Sequence, residues 1–369
     1  MNNKKTLSNT LSCLLRGSAI LAAAGAISTT VAAKPSIMGE GADISAMCGT
    51  KPMTVGLADG FGGNTWRRIA LHELKEELSH CANVKQILYT NANGDQQKAN
   101  ADINSLVAQG VDVLLVYPDF GAAQLPAMRK AIKQGVTVIP YNAKLEGAPG
   151  KDFTANISLD TFEIAKAWAD WYGNTLKSGN LVFMGGTPGA ASSQNFLDGF
   201  KEGLKKYPDL NLLEENFIVT SWNPVDAQKA TTGLIAKYPE IDGIATDYGV
   251  TAYAVVKAYE QAGLPVPALA TVASNNELNC GYIDRKSEGS AFPYYTVDGT
   301  TTGIRFAARR GVADFQGTHN PESDSYMPFL YADSSTNIDP KCDRQAPLDA
   351  DLSSILSAEK LQEIFKNKL

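Results

Sequence analysis

Short apolar runs alternate with longer amphipathic stretches along most of the chain, and this alternation predicts strands followed by helices. In the first half, the predicted strands are residues 53–57, 84–89, 113–116 and 136–141. The stretches with helical spacing are residues 65–79, 95–109 and 122–134. Strands that alternate with helices of this length are typical of parallel sheets with right-handed crossovers.

The second half continues the same alternation. Its predicted strands are residues 181–184, 217–220, 244–246, 269–273 and 291–295. Its predicted helices are residues 160–176, 193–207, 225–237, 251–262 and 300–310. We interpret residues 153–157 as the first crossing between the halves and residues 291–295 as the strand that returns the chain to the first half.

A short sequence motif occurs once in each half. Residues 93–99 and 223–230 share Asn, Asp, Gln, Lys and Ala, and each opens an amphipathic stretch. Each stretch ends in an aspartate, Asp112 or Asp242, directly before a short apolar strand. A repeated helix-to-strand unit predicts two similar α/β lobes, with a cleft at the carboxyl ends of their strands.

The first residues have the pattern of a signal peptide. Lys4, Lys5 and Arg16 are basic, residues 17–27 are apolar, and small residues precede a predicted cleavage site after Ala33. The apolar run is too short for a retained membrane span. We therefore predict a signal peptide at 1–33 and an exported, periplasmic protein.

Composition narrows the classes of partner. The chain has 369 residues and a formal net charge of −6 at pH 7, without a basic cluster. Such a protein is a poor candidate for binding nucleic acid or an anionic membrane surface. Its length exceeds that of a typical single-core domain, which also favours two lobes.

Four cysteines follow the predicted cleavage site: Cys48, Cys81, Cys280 and Cys342. An even number in an oxidising compartment suggests two disulfides. Of the three pairings we favour Cys48–Cys81 and Cys280–Cys342, because each bond then stays within one lobe. Buried free thiols remain an alternative. Zinc is disfavoured, since the chain has no CxxC pair and its histidines lie elsewhere in the sequence.

The loops after the predicted strands form an ordered set of polar and aromatic segments. They are residues 58–66, 116–119, 138–142, 156–160, 185–200, 246–248, 274–276 and 294–296. Taken in order behind an export signal, they resemble those of the periplasmic sugar-binding proteins of ABC importers, the ribose-binding-like group of type I solute-binding proteins. The resemblance covers roughly residues 52–312. It implies two Rossmann-like lobes with parallel sheets, joined by a three-segment hinge that closes on a sugar.

The resemblance also implies boundaries and partners. Lobe 1 is expected at 50–156 plus 296–330, and lobe 2 at 157–295 plus 331–369, with the C-terminal extension pinned by a disulfide. The expected ligand is a neutral monosaccharide or a related polyol or deoxy sugar. The expected partner is the membrane permease of an ABC transporter, with a chemoreceptor as an alternative. A monomer without cofactor or metal is expected.

A neutral sugar offers C–H faces to aromatic rings and hydroxyls to amides and carboxylates, so a site for it needs both. In the first lobe, the resemblance assigns ligand contacts to Phe61, Asn64, Trp66 and Asn142. The two aromatic residues could instead belong to the core. Asp119 is a further candidate, with capping of the next helix as the alternative.

In the second lobe, the resemblance assigns ligand contacts to Asn195, Trp222, Asp247 and Asn275. Trp222 stands where relatives place an aromatic residue that stacks on the sugar, with a structural role as the alternative. Tyr295 lies at a hinge crossing, where it could contact ligand or pack the lobes together.

The chain departs from the family pattern at four positions. Ala143 and Phe196 stand where relatives carry arginines, and Asn142 and Asn275 where they carry aspartates. These changes predict a less charged, more aromatic pocket that suits a deoxy or reduced sugar. Arg67, in the first turn of a helix, could reach an acidic group, but a solvated side chain is the more common outcome.

An exported carbohydrate-active hydrolase is the rival interpretation. It would need paired carboxylates across the sugar, whereas the cleft candidates are mostly amides and aromatics. The chain has no GxSxG or HExxH motif, and His72, His80 and His319 lie outside the strand-end loops. We therefore expect a binding protein and no catalytic residues.

Overall fold

The computed structural model describes residues 36–37 and 41–366 as an α/β protein with two sheets. The predicted signal peptide, 1–33, and the last three residues, 367–369, lie outside the described residues. Within the described ranges, no helix combines the length and the apolar character that a membrane span requires.

Seven parallel strands of the described chain form the sheet of the first lobe. They are β1 (Ser36–Ile37), β2 (Met53–Asp59), β3 (Val84–Asn91), β4 (Val113–Val116), β5 (Thr137–Asn142), β6 (Ile157–Leu159) and β13 (Ser325–Met327). Their order across the sheet is β1-β13-β6-β5-β4-β2-β3, and every neighbouring pair is parallel. All their carboxyl ends therefore lie at one edge.

The second lobe has a sheet of the same size in the described chain. Its strands are β7 (Gly179–Gly185), β8 (Leu210–Leu212), β9 (Ile218–Val219), β10 (Gly243–Thr246), β11 (Ala268–Val272), β12 (Tyr294–Asp298) and β14 (Phe329–Asp333). The order is β14-β12-β11-β10-β7-β8, with β9 also beside β7. Only β14 runs antiparallel to its neighbour, β12.

Helices connect the strands as the alternating pattern predicts, and two further helices, at residues 276–287 and 358–366, were not predicted. Those of the described chain are α1 (Thr65–Leu78), α2 (Gln96–Ala108), α3 (Leu125–Lys133), α4 (Thr161–Thr175), α5 (Ala191–Leu204), α6 (Pro224–Lys237), α7 (Gly249–Gln261), α8 (Asn276–Ser287), α9 (Gly303–Gln316) and α10 (Ala358–Lys366). The repeated motif begins α2 and α6. Asp95 caps α2 by accepting the Lys98 N–H, and Asn223 caps α6 by accepting the Val225 N–H.

The aspartates that end the two repeats have the same structural role. The Asp112 carboxylate accepts the Thr54 N–H at 2.7 Å, at the beginning of β2. The Asp242 carboxylate accepts the Asn180 N–H at 2.7 Å, at the beginning of β7. Each aspartate thus fixes the neighbouring strand at the amino-terminal edge of its sheet. The repeat is therefore structural, and it builds the same unit in both lobes.

The chain passes between the sheets three times, as a three-segment hinge requires. Asp160 joins β6 to α4, residues 299–302 join β12 to α9, and Pro328 joins β13 to β14. The first crossing was expected at residues 153–157, and that position is wrong. The reason is that β6 still pairs with β5 and β13 in the first sheet.

Two differences concern the last third of the chain. The returning strand was expected at 291–295, but β12 extends to Asp298 and pairs with β11 and β14 inside the second sheet. The C-terminal segment was expected on the second lobe, yet α10 packs on α1 of the first lobe. Leu356 and Ile364 bury Ile69 there. This hydrophobic contact places the chain's last described helix on the first lobe.

Both favoured disulfides are present. Cys48 bonds Cys81 at the end of α1, and Cys280 of α8 bonds Cys342. The first holds the segment before β2 on the first lobe. The second attaches the segment after β14 to the second lobe.

Candidate ligand-binding site between the lobes

A cavity of about 170 Å³ lies between the two sheets, at the carboxyl ends of their strands. Both lobes contribute side chains to its wall. Of the ten residues predicted from the sequence, those that line it are Phe61, Asn64, Trp66, Asp119, Asn142, Trp222 and Asp247. Pockets for drug-sized ligands measure roughly 300–1,000 Å³, so this cavity suits a smaller molecule.

Aromatic rings from the two lobes meet at one side of the cavity. Phe61 stacks on Phe120 with ring centroids 5.7 Å apart, and it makes a T-shaped contact with Trp222 of the second lobe, with centroids 6.2 Å apart. Contacts of this kind favour the pair beyond the area that they bury. The Phe61–Trp222 contact joins the lobes, so the cleft is closed on this side.

Trp222 owes its position to an unusual backbone and a hydrogen bond. Ser221 and Trp222 both have left-handed backbones, with φ of 54° and 50°, which costs a non-glycine residue roughly 1–2 kcal/mol. The indole ring lies against Gly186, where a Cβ atom would come within 2.0 Å of it. The indole N–H donates to Asp247 Oδ1 at 3.1 Å. Strain of this kind is typical of functional loops.

Trp66 is held at the opposite wall by the beginning of α1. Asn64 caps this helix by accepting the Arg67 N–H at 2.8 Å. The Trp66 indole N–H donates to Thr300 Oγ1 at 2.8 Å, and its ring meets Tyr117 edge-on at 5.8 Å. Because the cap uses the amide oxygen of Asn64, its NH₂ group is what this residue can offer a ligand.

Arg67 is buried in the wall of the cavity, which corrects the expectation of a solvated side chain. Its guanidinium pairs with Asp119 at 2.7 Å and Asp59 at 3.1 Å. The guanidinium carbon lies 3.3 Å from the centroid of the Tyr117 ring. Burial acts to lower the pKa of Arg67, but Asp119 and Asp59 raise it well above its ordinary value. Arg67 is therefore a permanent cation.

Asp119 binds Arg67 rather than capping a helix. Its second carboxylate oxygen accepts the Gly60 N–H at 3.1 Å. Burial raises the pKa of Asp119 to about 7, although Arg67 acts in the opposite direction. Arg67 is the one cation that pairs with both Asp119 and Asp59. This group of three side chains therefore keeps a net negative charge when both carboxylates are ionised. These charged groups stand at or beside the cavity, while the comparison with the pockets of relatives, which predicts a less charged site, stays a prediction.

Asn142 is part of a hydrogen-bonded chain with two tyrosines. Its amide nitrogen donates to the Tyr117 hydroxyl at 2.5 Å, and its carbonyl accepts from the Tyr326 hydroxyl at 3.2 Å. Its backbone is left-handed, with φ of 71°, a conformation that asparagine tolerates better than most residues. These contacts orient a polar group at the end of β5.

Asp247 is the buried carboxylate of the second lobe. It accepts hydrogen bonds from the Ser193 hydroxyl and the Trp222 indole. Burial raises the pKa of Asp247 to about 7, although these two hydrogen bonds act in the opposite direction. A sugar hydroxyl could either accept from the protonated group or donate to the ionised one.

The raised pKa of Asp247 predicts a pH-dependent stability. Between the unfolded pKa of 3.8 and the folded pKa of about 7, the folded state holds a proton that the unfolded state has lost. The wild type should therefore lose stability relative to Asp247→Asn as the pH rises through this window. Urea unfolding of both proteins from pH 4 to pH 8 measures this difference in the free energy of unfolding. A difference independent of pH would contradict the assignment.

Three predicted residues do not line the cavity. Asn275 caps α8, where its side chain accepts the Leu278 N–H at 3.0 Å. Tyr295 of β12 packs against Trp171 of α4 with ring centroids 5.6 Å apart, so this contact lies inside the second lobe rather than between the lobes. Asn195 is half-buried on α5, outside the wall.

Other wall residues were absent from the predicted set. They include Arg67, Tyr117, Phe196, Tyr248 and Thr300. Phe196 stacks on Trp168 with ring centroids 4.9 Å apart, so it belongs to the core and also lines the cavity. Tyr117 and Tyr248 stand in strand-end loops, which was a usable signal. Thr300 comes from the second crossing, which the sequence pattern assigned to a helix.

The described residues contain no group of three His, Cys, Asp or Glu side chains that could hold a metal ion. The polar groups of the wall are instead paired with each other and with aromatic donors. Such an arrangement suits recognition of hydroxyl groups by hydrogen bonds.

Residues 55–292 match the family described as periplasmic binding protein domain. The chain belongs to this family. A periplasmic binding protein with the same fold is the Caulobacter myo-inositol binding protein bound to myo-inositol. The two share 21% identity with a TM-score of 0.66, over 78% of this chain and 97% of that one.

Two curated relatives of this periplasmic binding protein are similar in sequence. One is a xylitol-binding protein of Mycolicibacterium smegmatis, 26% identical over 190 residues, which are 50% of this chain and 53% of the relative. The other is a D-xylose-binding periplasmic protein of Escherichia coli, 26% identical over 183 residues, 48% of this chain and 54% of the relative. The chain thus spans about half the length of these relatives.

Proposed function

We propose that this protein binds one neutral monosaccharide, or a related polyol or deoxy sugar, in the cavity between its lobes. The observation that carries the proposal is the composition of the wall. Trp66 and Trp222 face the cavity from opposite lobes, and the buried polar groups of Asp119, Asn142 and Asp247 stand beside them. Aromatic faces with convergent hydrogen-bonding groups are what a sugar ring requires.

The size and charge of the cavity refine the class of ligand. A volume of about 170 Å³ favours a single sugar unit over an oligosaccharide. The Arg67 ion pairs give the first lobe a fixed cation and two acceptors, so a hydroxyl-rich pentose or polyol is better matched than a deoxy sugar. The relatives named for xylitol and D-xylose support this class.

The role that follows is that of the binding component of an ABC importer. After removal of a leader near Ala33, the protein would work in the periplasm as a monomer, without cofactor. A ligand that contacts both lobes favours the closed form, because only that form offers both sets of contacts. The closed form would be recognised by the membrane permease. A chemoreceptor is the alternative recipient.

A thermal-shift screen tests the proposal. A ligand that binds only the folded protein raises its melting temperature, by an amount that grows with concentration over Kd. We expect D-xylose, xylitol or a close stereoisomer to give the largest shift in a panel of pentoses, hexoses, deoxy sugars and polyols. A panel without any shift would contradict a sugar-binding role. Hydrolysis of aryl glycosides by the purified protein would favour the hydrolase instead.

A further inference from the structure

The C-terminal segment contacts both lobes and the hinge. We name residues 342–366 the strap. It begins at Cys342, after β14, where the disulfide to Cys280 attaches it to α8 of the second lobe. It ends with α10 on α1 of the first lobe. The match to the periplasmic binding protein family ends at residue 292, so the strap lies beyond it.

The strap binds the beginning of α8 through its backbone. The N–H groups of Asn276 and Glu277 donate to the carbonyls of Ala350 and Leu348, each at 2.8 Å. The Asn276 side chain also donates to the Asp343 carbonyl at 2.6 Å. The first N–H groups of a helix have no partner inside the helix. Here the strap supplies their acceptors, so residues 343–350 are firmly held on the second lobe.

One side chain of this stretch reaches the other lobe. Asp349 lies between the two carbonyls that bind α8, and its carboxylate accepts the Thr65 N–H at 2.9 Å. Thr65 is the first residue of α1, followed at once by Trp66 and Arg67 of the cavity wall. An anion at a helix N-terminus is favoured by the unpaired N–H groups there. Asp349 thus connects the second lobe to the helix that carries the first lobe's site.

The strap then contacts the hinge and the body of α1. The Ser353 hydroxyl accepts the N–H of Gly299, whose left-handed backbone has φ of 92°. The Ser354 hydroxyl donates to Glu73 at 2.7 Å. Glu73 is fully buried, and its carboxylate also pairs with Arg305 of α9. The second crossing and α1 are therefore bound to the same segment.

We infer that the strap is a fourth connection between the lobes and that Asp349 is a positioning residue of the binding site. Its carboxylate holds the beginning of α1 against the second lobe, and this bias toward the closed form exists before ligand binds. A contact made better in one of two conformations shifts the population toward it. A larger closed population raises the apparent affinity by the same factor.

The test is small-angle X-ray scattering of the ligand-free protein, as wild type, Asp349→Ala and Asp349→Asn. We expect Asp349→Ala to shift to a larger radius of gyration, because the lobes open when the bond to Thr65 is lost. Asparagine keeps an oxygen acceptor of the same shape, so Asp349→Asn should stay close to the wild type. The control is Asp339→Ala, which removes a carboxylate that pairs with Lys286 inside the second lobe.

Circular dichroism of each variant separates opening from unfolding. An Asp349→Ala protein that is folded and has the radius of the wild type would overturn the inference. So would an Asp349→Asn protein as expanded as the alanine variant, or an equal expansion in Asp339→Ala. The measurement needs no ligand, so it stands apart from the proposed sugar specificity.

Discussion

Replacement of Arg67 with methionine is expected to lower the free energy of unfolding by about 3–5 kcal/mol, the usual effect of removing one partner from a buried ion pair. Arg67 is 8% exposed and is the cation that pairs with both Asp59 and Asp119. Methionine fills much of the same volume, so the loss comes from carboxylates left buried without a counter-charge. Urea unfolding at pH 8, with all carboxylates ionised in the unfolded chain, measures it.

Two further proteins show whether charge is the cause. The triple variant Asp59→Asn, Arg67→Met, Asp119→Asn removes the carboxylates with the cation, and it should recover most of the stability. Arg310→Met removes a more exposed arginine that pairs with Asp314 one turn along α9, and it should cost at most about 1 kcal/mol. If Arg67→Met costs no more than Arg310→Met, the pairs at the cavity do not stabilise the fold.

The fold was largely predictable because it follows from local periodicity. Each of the two repeats predicted an amphipathic helix and an aspartate before a strand, and the structure uses Asp112 and Asp242 in the same way in both lobes. The cysteine pairing followed from keeping each bond inside one lobe. These features depend on neighbours in sequence or on lobe membership alone, which the pattern reveals.

The last third of the chain was harder to predict because its structure depends on residues that are distant in sequence. Helix α8 is mostly polar, and its first N–H groups are satisfied by carbonyls more than seventy positions away in the chain. Strands β13 and β14 are short and separated by one proline, yet they belong to different sheets. A sequence pattern cannot show which of two sheets a short strand joins.

The residue types of the site could be predicted from the sequence, but the pairs that their side chains form could not. Aromatic, amide and carboxylate residues that follow the predicted strands identified seven wall residues. Whether Arg67 is solvated or buried depends on its distance from Asp59 and Asp119, which are 8 and 52 positions away in sequence. Asn275 shows the converse: its residue type suits a ligand contact, but the N-terminus of α8 uses it as a cap.

Replacement of Trp222 or Trp66 with alanine is expected to weaken sugar binding by about 1–3 kcal/mol each, the scale for losing one well-buried stacking aromatic. Trp222 is positioned by Asp247 and a strained backbone, and Trp66 by Thr300 and Tyr117. Because the two rings belong to different lobes, either loss removes contacts that only the closed form completes. Isothermal titration calorimetry with D-xylose, or with the best ligand of the panel, measures the change in Kd.

Control substitutions separate stacking from other effects. Trp222→Phe keeps an aromatic face but loses the N–H that donates to Asp247, so it should lie between the wild type and the alanine variant. Phe162→Ala removes a partly exposed aromatic residue of α4 that does not line the cavity, and binding should be unchanged. Unaltered affinity in both tryptophan variants would mean that the sugar binds elsewhere. A loss confined to one of them would place the main stacking contact on that lobe, since each ring reports on its own side of the cleft.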